Sequence, residues 1–218
     1  MLSYTEENYL KTIYHLSEGG QKSVLTNEIA ASLLTKAATV TDMIKKLSQK
    51  DFITYEKYYG VNVTRKGKTH ALSIVRKHRL WETFLVEKLN FMWDEVHDVA
   101  EQLEHIQSPL LIEKLDEFLG YPTADPHGHP IPDKHGKIKQ EKQIALKDAL
   151  VNKPLNVCAV RNGSSPFLQY LSKIGVSIGV TIVVKERIEF DGSLEVSIQN
   201  KKPQLISREA AENILVKE

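Results

Sequence analysis

Residues 26–64 read TNEIAASLLTKAATVTDMIKKLSQKDFITYEKYYGVNVT, and this stretch decides the fold. Thr26 can cap a short helix whose apolar positions Ile29, Ala30 and Leu33 recur at helical spacing. Leu34-Thr35-Lys36 makes a turn. Thr35 is the expected N-cap of a second helix, Ala37 to Lys50, which faces Val40, Ile44 and Leu47 inward. At Phe52 the period changes from helical to alternating. Phe52-Ile53-Thr54-Tyr55 and Val61-Asn62-Val63-Thr64 are β-branched and aromatic runs flanking Glu56-Lys57-Tyr58-Tyr59-Gly60, which predicts a hairpin. Two short helices across a tight turn form a helix-turn-helix, and a hairpin directly behind the second helix is a wing.

The segments on either side extend this reading. Residues 4–17 carry Leu10, Ile13, Tyr14 and Ser17 on one helical face, Ser3 and Glu6 have capping-box spacing, and Gly19-Gly20 ends the helix. After the wing, helical patterns run through residues 65–90, 93–107 and 109–119. Residues 120–132 hold four prolines and two glycines, so they form a loop. From Leu155 the texture is β: strands are expected at 155–160, 180–188, 194–198 and 204–206, with a short helix at 166–173. The expected fold is mainly α with a small β part. A winged helix-turn-helix spans 1–70, a helical domain 71–135, a linker 136–153, and a small β-barrel 154–218.

Of the 218 residues, 41% are hydrophobic and 26% charged, an ordinary globular balance. No signal peptide is read at the start, and no window reaches the ~18 consecutive apolar residues of a membrane span. A single cysteine, Cys158, excludes an intramolecular disulfide and suits a reducing cytoplasm; in its apolar strand it reads as a buried, inert thiol. The net charge of +1 conceals two blocks. Residues 22–68 hold nine basic side chains against four acidic ones, whereas residues 94–119 hold eight acidic ones against Lys114. A basic block suits a polyanion, and an acidic helical block suits cations.

The chemistry follows the blocks. The second helix of a helix-turn-helix enters the major groove, where each base pair presents its own donor and acceptor pattern. Lys36, Ala38, Thr39 and Asp42 lie on its exposed side near the start. Lys45, Lys46 and Lys50 are placed to meet phosphates, and the wing offers Lys57, Tyr58 and Tyr59 to backbone or minor groove. In the acidic block and the helix before it, His78 and Glu82 are spaced i, i+4, as are His97 and Glu101. Glu101, Glu104 and His105 complete an i, i+3, i+4 triplet. Imidazole mixed with carboxylate suits divalent manganese, iron or zinc, and the lack of a nearby cysteine argues against structural zinc. His127, His129 and His135 read as ordinary loop histidines, metal ligation being the other reading.

These residues resemble the diphtheria-toxin-repressor and manganese-transport-regulator family. The telling stretches are Thr5-Glu6-Glu7-Asn8-Tyr9-Leu10-Lys11-Thr12-Ile13-Tyr14, Lys77-His78-Arg79-Leu80, Val96-His97-Asp98 with Glu104-His105, and Asp125-Pro126-His127-Gly128. The tail, with Gly175-Val176-Ser177-Ile178-Gly179, looks like the SH3-like domain of the longer members. The resemblance implies one metal site at His78, Glu82 and His97. It implies a second at Glu101, Glu104 and His105, completed by Asn8, and a dimer interface around 80–119. Relatives that answer to iron tend to carry cysteine where Glu101 stands, so the carboxylate leans toward manganese. Where the shorter manganese sensors carry an acid stands Lys11, which cannot ligate while charged. In some relatives the SH3-like domain also supplies ligands to the first site; here Gly163-Ser164-Ser165-Pro166 occupies that stretch.

The implied function is a metal-dependent transcriptional repressor of metal-homeostasis genes. It would be a cytoplasmic homodimer on double-stranded operator DNA, activated by Mn²⁺, with Fe²⁺ and Zn²⁺ as alternatives, and not an enzyme. Two rival readings are a metal-dependent hydrolase, for which no separate general base, nucleophile motif or phosphate loop is found, and a winged-helix regulator answering to a non-metal ligand.

Overall fold

The computed structural model describes residues 2–139 and 141–217. They form two compact units, one of residues 1–78, 101–113 and 132–138, the other of residues 79–100, 114–131 and 139–218.

The first unit begins with α1 (Tyr4–Leu16), where the Ser3 hydroxyl accepts from Glu6 N and the Glu6 carboxylate accepts from Ser3 N, a complete capping box. Next come α2 (Thr26–Ser32) and α3 (Ala37–Gln49). Neither helix starts as the sequence suggests. Thr26 lies inside α2, and Glu28 reaches back to Leu25 N at 2.7 Å; α3 is entered through Lys36, with no side-chain cap. The wing is β1 (Ile53–Glu56) against β2 (Gly60–Val63), antiparallel and in register from Ile53↔Val63 to Glu56↔Gly60. Leu10, Ile13, Ile29, Val40, Ile44, Leu47, Ile53 and Val61 fill the core with 0–1% exposure, so truncating Ile44 or Leu47 to alanine costs about 2–5 kcal/mol. α4 (Arg65–Leu89) follows. Its Gly67 is obligatory, because an added Cβ would lie 1.9 Å from Phe52 O.

The expected helix 93–107 is shorter. α5 spans His97–Leu103, residues 93–95 and 104–105 are turns, and α6 (Pro109–Phe118) opens on its proline. Proline cannot continue a helix and disfavours the α conformation before it, so the chain leaves α5 ahead of Ser108-Pro109.

In the second unit, β3 (Ile144–Ala145), β4 (Pro154–Val160), β5 (Thr181–Arg187), β6 (Leu194–Ile198), β7 (Gln204–Ile206) and β8 (Ile214–Lys217) make one antiparallel sheet of order β3-β8-β4-β5-β6-β7. Register shifts at Val157/Ala159 and Val184/Glu186 are bulges, which bend the strands and increase their twist. α7 (Ser165–Ile174) and α8 (Arg208–Asn213) accompany the sheet, whose core includes Leu155, Leu168, Leu171, Ile182, Val196 and Ile214.

Candidate metal centre and nucleic-acid interface

α3 and the wing present the nucleic-acid candidates. Lys36, Ala38, Thr39, Asp42, Lys45, Lys46, Lys57, Tyr58 and Tyr59 are all exposed, whereas Val40, Ile44 and Leu47 on the opposite side of α3 are buried. Asp42 pairs with Lys45 at 3.6 Å; both are exposed, so the pair contributes little. At the wing tip Tyr58 has φ 72° and 85% exposure, with the Lys57 ammonium 5.0 Å from its ring centroid. Lys50 departs from the expected phosphate role: its ammonium is bonded to buried Glu6 at 2.6 Å.

A cluster of ionisable side chains gathers between α1 and residues 101–105 of the same unit. Glu104 is fully buried; Oε1 lies 2.7 Å from Lys11 Nζ, and Oε2 lies 2.6 Å from His78 Nδ1. Glu101 Oε1 accepts from Lys11 at 3.1 Å. His105 Nδ1 meets Glu7 Oε2 at 2.6 Å, while Glu7 Oε1 takes His70 Nε2 at 3.2 Å and Gln107 Nε2 at 3.0 Å. Burial raises the Glu7 pKa, but the bonds from His70, His105 and Gln107 outweigh it and bring the value down to about 2. Glu7 is therefore ionised at neutral pH and can only accept. His105 must donate through Nδ1, and its Nε2 lies 3.5 Å from Glu104 Oε1. His105 Nε2 and Asn8 Oδ1 are buried without a hydrogen-bond partner. Buried polar atoms without a hydrogen bond are costly, and beside two carboxylates a divalent cation would satisfy them. The oxygen and nitrogen donors of Asn8, Glu101, Glu104 and His105 fit such an ion.

Another cluster lies in the second unit. Glu82, 3% exposed, has Oε1 3.7 Å from His97 Nδ1 and 3.7 Å from His127 Nδ1. His78, which the sequence groups with Glu82 and His97, belongs to the first unit, one turn ahead of Glu82 on α4. Asp125, His127 and His129 also bring one ligand atom each within 4.8 Å. Asp125 Oδ1 accepts from the backbone N–H of His127 and His129 at 2.8 and 3.0 Å, and its buried Oδ2, 3.5 Å from Arg79 Nε, lacks a hydrogen bond.

His127 is thus no ordinary loop histidine. It is 4% exposed, and its Nε2 lies 2.7 Å from the Trp93 carbonyl. Burial lowers its pKa, but the Glu82 carboxylate, the Asp125 charge and the Trp93 carbonyl more than reverse this and leave it raised. The sheet domain holds the loop: Val160 N donates to His127 O at 3.0 Å, and Gly128 lies against β4, where an added Cβ would sit 2.0 Å from Cys158 O. α7 meets the same region through Trp93 Nε1–Ser172 Oγ at 3.0 Å and Gln169 Nε2–Asp94 Oδ2 at 2.9 Å. Within Gly163–Pro166, Ser165 Oγ contacts Asp94 Oδ2 at 3.4 Å.

Sequence reasoning missed Glu7 and His127 as site residues. A carboxylate set beside Asn8 and a histidine two residues after Asp125 were visible in the chain, but nothing local showed that either side chain is buried.

A winged helix-turn-helix, a helical segment rich in histidine and carboxylate, and a small antiparallel sheet domain define a class of multidomain metal-responsive DNA-binding regulators. The comparisons place the chain within that class. Residues 1–61 match the family described as the iron dependent repressor N-terminal DNA binding domain. Residues 64–133 match its metal binding and dimerisation domain, and residues 144–218 match the FeoA domain. The chain belongs to the iron-dependent repressor family. It is similar to a solved manganese-dependent transcriptional repressor in complex with manganese, at 34% identity and a TM-score of 0.88, over 97% of this chain and 99% of that one. It is 28% identical over 213 residues to the diphtheria toxin repressor of Corynebacterium diphtheriae, covering 93% of this chain and 92% of that protein. The iron-dependent repressor IdeR of Mycobacterium leprae is 35% identical over 128 residues, and that match spans 59% of this chain and 55% of the relative.

Proposed function

We propose that the protein is a DNA-binding transcriptional repressor that a divalent metal ion activates, with manganese as its ion and the cytoplasm as its compartment. The observation that carries the reading is the pair of buried polar atoms, Asn8 Oδ1 and His105 Nε2, that lack a hydrogen bond among the described residues and stand beside Glu104. A metal bound there would supply the positive charge that ties α1 to residues 101–105. α1 shares its core with α2 and α3, so tightening that junction steadies the exposed face of α3. Metal and DNA affinities are then linked reciprocally.

Each residue has its part. Asn8, Glu101, Glu104 and His105 hold the activating ion, and Glu7 fixes the His105 ring. Glu82, His97 and His127 make an ancillary site that also anchors the 125–129 loop. Lys36, Ala38, Thr39 and Asp42 face base edges, whereas Lys45, Lys46, Lys57, Tyr58 and Tyr59 face the backbone. Glu101 and the manganese bound by the solved relative favour manganese over iron and zinc. Exposed Leu89, Met92, Phe118 and Tyr121 supply an apolar surface for a symmetric dimer. Its two α3 helices would then enter major grooves spaced ~34 Å or a multiple apart. No helix among the described residues is long and apolar enough to cross a membrane.

The test is a Mn²⁺ titration of operator binding. Mn²⁺ is expected to tighten DNA binding in the wild type, and Glu104→Ala and His105→Ala are each expected to abolish that response. An unchanged response in both variants refutes the reading.

A further inference from the structure

Lys11 is the residue of the α1 cluster that a metal site does not call for. Its side chain is 11% exposed, and its ammonium stands 2.7 Å from Glu104 Oε1 and 3.1 Å from Glu101 Oε1. Bridging two carboxylates is the work of a cation, and here an amine does it. Asn8 Oδ1 and His105 Nε2 are buried without a hydrogen bond, and His105 Nε2 lies 3.5 Å from Glu104 Oε1, the oxygen that Lys11 also holds.

Resting on the reading that Asn8, Glu101, Glu104 and His105 hold a divalent ion, we propose that Lys11 is a fixed second cation of that site. It limits the site to one divalent ion and holds α1 to Glu101 and Glu104 before any metal arrives.

Charge decides the count. One divalent ion and the ammonium set three positive charges against the two carboxylates; a second divalent ion would set five against them. Glu7 does not relieve the excess, since His70, His105 and Gln107 already occupy it. Lys77, buried and close enough to Glu7 and Glu104 to feel both charges, adds to the positive field. Glu104 has no exposure to water, so solvent screens this repulsion poorly. An acid at position 11 would reverse the sign of the contribution and add a ligand. Lys11 is thereby a specificity-determining residue that sets nuclearity.

The test uses the full chain, stripped of metal by chelation and titrated with Mn²⁺, the free ion being counted by its paramagnetic resonance signal. Sites elsewhere in the chain contribute equally to every variant, so differences are read. Lys11→Glu is expected to raise the count by one Mn²⁺ per protomer, while Lys11→Arg keeps the wild-type count. Lys11→Met, which folds without crowding carboxylates, is expected to bind its first ion about tenfold more tightly because competition from the ammonium is lost. Its metal-free form is expected to melt several degrees below the wild type, because the Lys11 bridge is gone. Equal counts in wild type and Lys11→Glu, unchanged first-ion affinity in Lys11→Met, or an unchanged metal-free melting temperature overturns the proposal. Failure of the underlying metal reading looks different: Glu104→Gln and His105→Ala would then leave the wild-type count and affinity untouched.

Discussion

Replacing Gly128 with alanine tests how the sheet domain holds His127. The new Cβ would lie 2.0 Å from Cys158 O, 2.6 Å from Ala159 Cα and 2.8 Å from Ala159 Cβ, so the loop must retreat by more than an ångström. Three losses follow. Residue 128 has φ +83°, where a side chain costs ~1–2 kcal/mol. The buried bond from Val160 N to His127 O, 3.0 Å long, breaks and leaves unsatisfied groups, about 1–3 kcal/mol. The bond from His127 Nε2 to Trp93 O weakens, roughly 1 kcal/mol more. The expected loss is about 3–6 kcal/mol. Gly120→Ala is the matched control, because Gly120 has φ +74° with nothing within 4 Å of the added Cβ, and only backbone strain of ~1 kcal/mol applies. The assay is urea denaturation followed by tryptophan fluorescence, since Trp93 stacks on His127 with ring centroids 6.1 Å apart. If Gly128→Ala falls within about 1 kcal/mol of Gly120→Ala, the close approach to β4 carries no weight and the reasoning is wrong.

Two further outcomes are expected. The folded-state pKa of Glu7 is depressed from 4.5 to about 2, so its stabilisation is full above pH 4.5 and is lost as pH falls toward 2. The shift corresponds to about 3 kcal/mol as an upper bound. Glu7→Gln should therefore be less stable than wild type at pH 7, and the gap should narrow in denaturation series run down to pH 3; a gap that does not depend on pH argues against an ionised Glu7. Lys45→Ala and Lys46→Ala should each weaken operator binding by the metal-loaded protein for all sequences alike and reduce the salt slope by about 1. Unchanged slopes in filter-binding series at several salt concentrations would move both lysines off the DNA.

The helix-turn-helix and wing were legible because their determinants are local: Val40, Ile44 and Leu47 repeat at helical spacing, and Ile53 and Val61 mark alternating runs. The capping box at Ser3 and Glu6 was equally local. The fine start of α3 was not, because Thr35 and Lys36 both suit a turn and backbone geometry settles the helix entry. The C-terminal strand β8 escaped notice because four residues directly after α8 carry little periodicity, and pairing with β3 and β4 makes them a strand. The metal candidates on α4 and α5 were visible as i, i+4 pairs. Lys11, Glu7 and His127 were not assigned a place, since their partners lie 93, 98 and 34 residues away in the chain.

Cys158, the only thiol in the sequence, sits in the strand whose carbonyl Gly128 touches. It is half-buried beside Ala145, Ala159 and Leu215, and burial pushes its thiol pKa up, against a weaker downward pull from Lys217. Alkylation there is consequently slow while the strand stays clothed, and quickens when its cover loosens. The molecule thus carries a native chemical stopwatch for the seating of its C-terminal domain, readable by mass spectrometry without introducing any label.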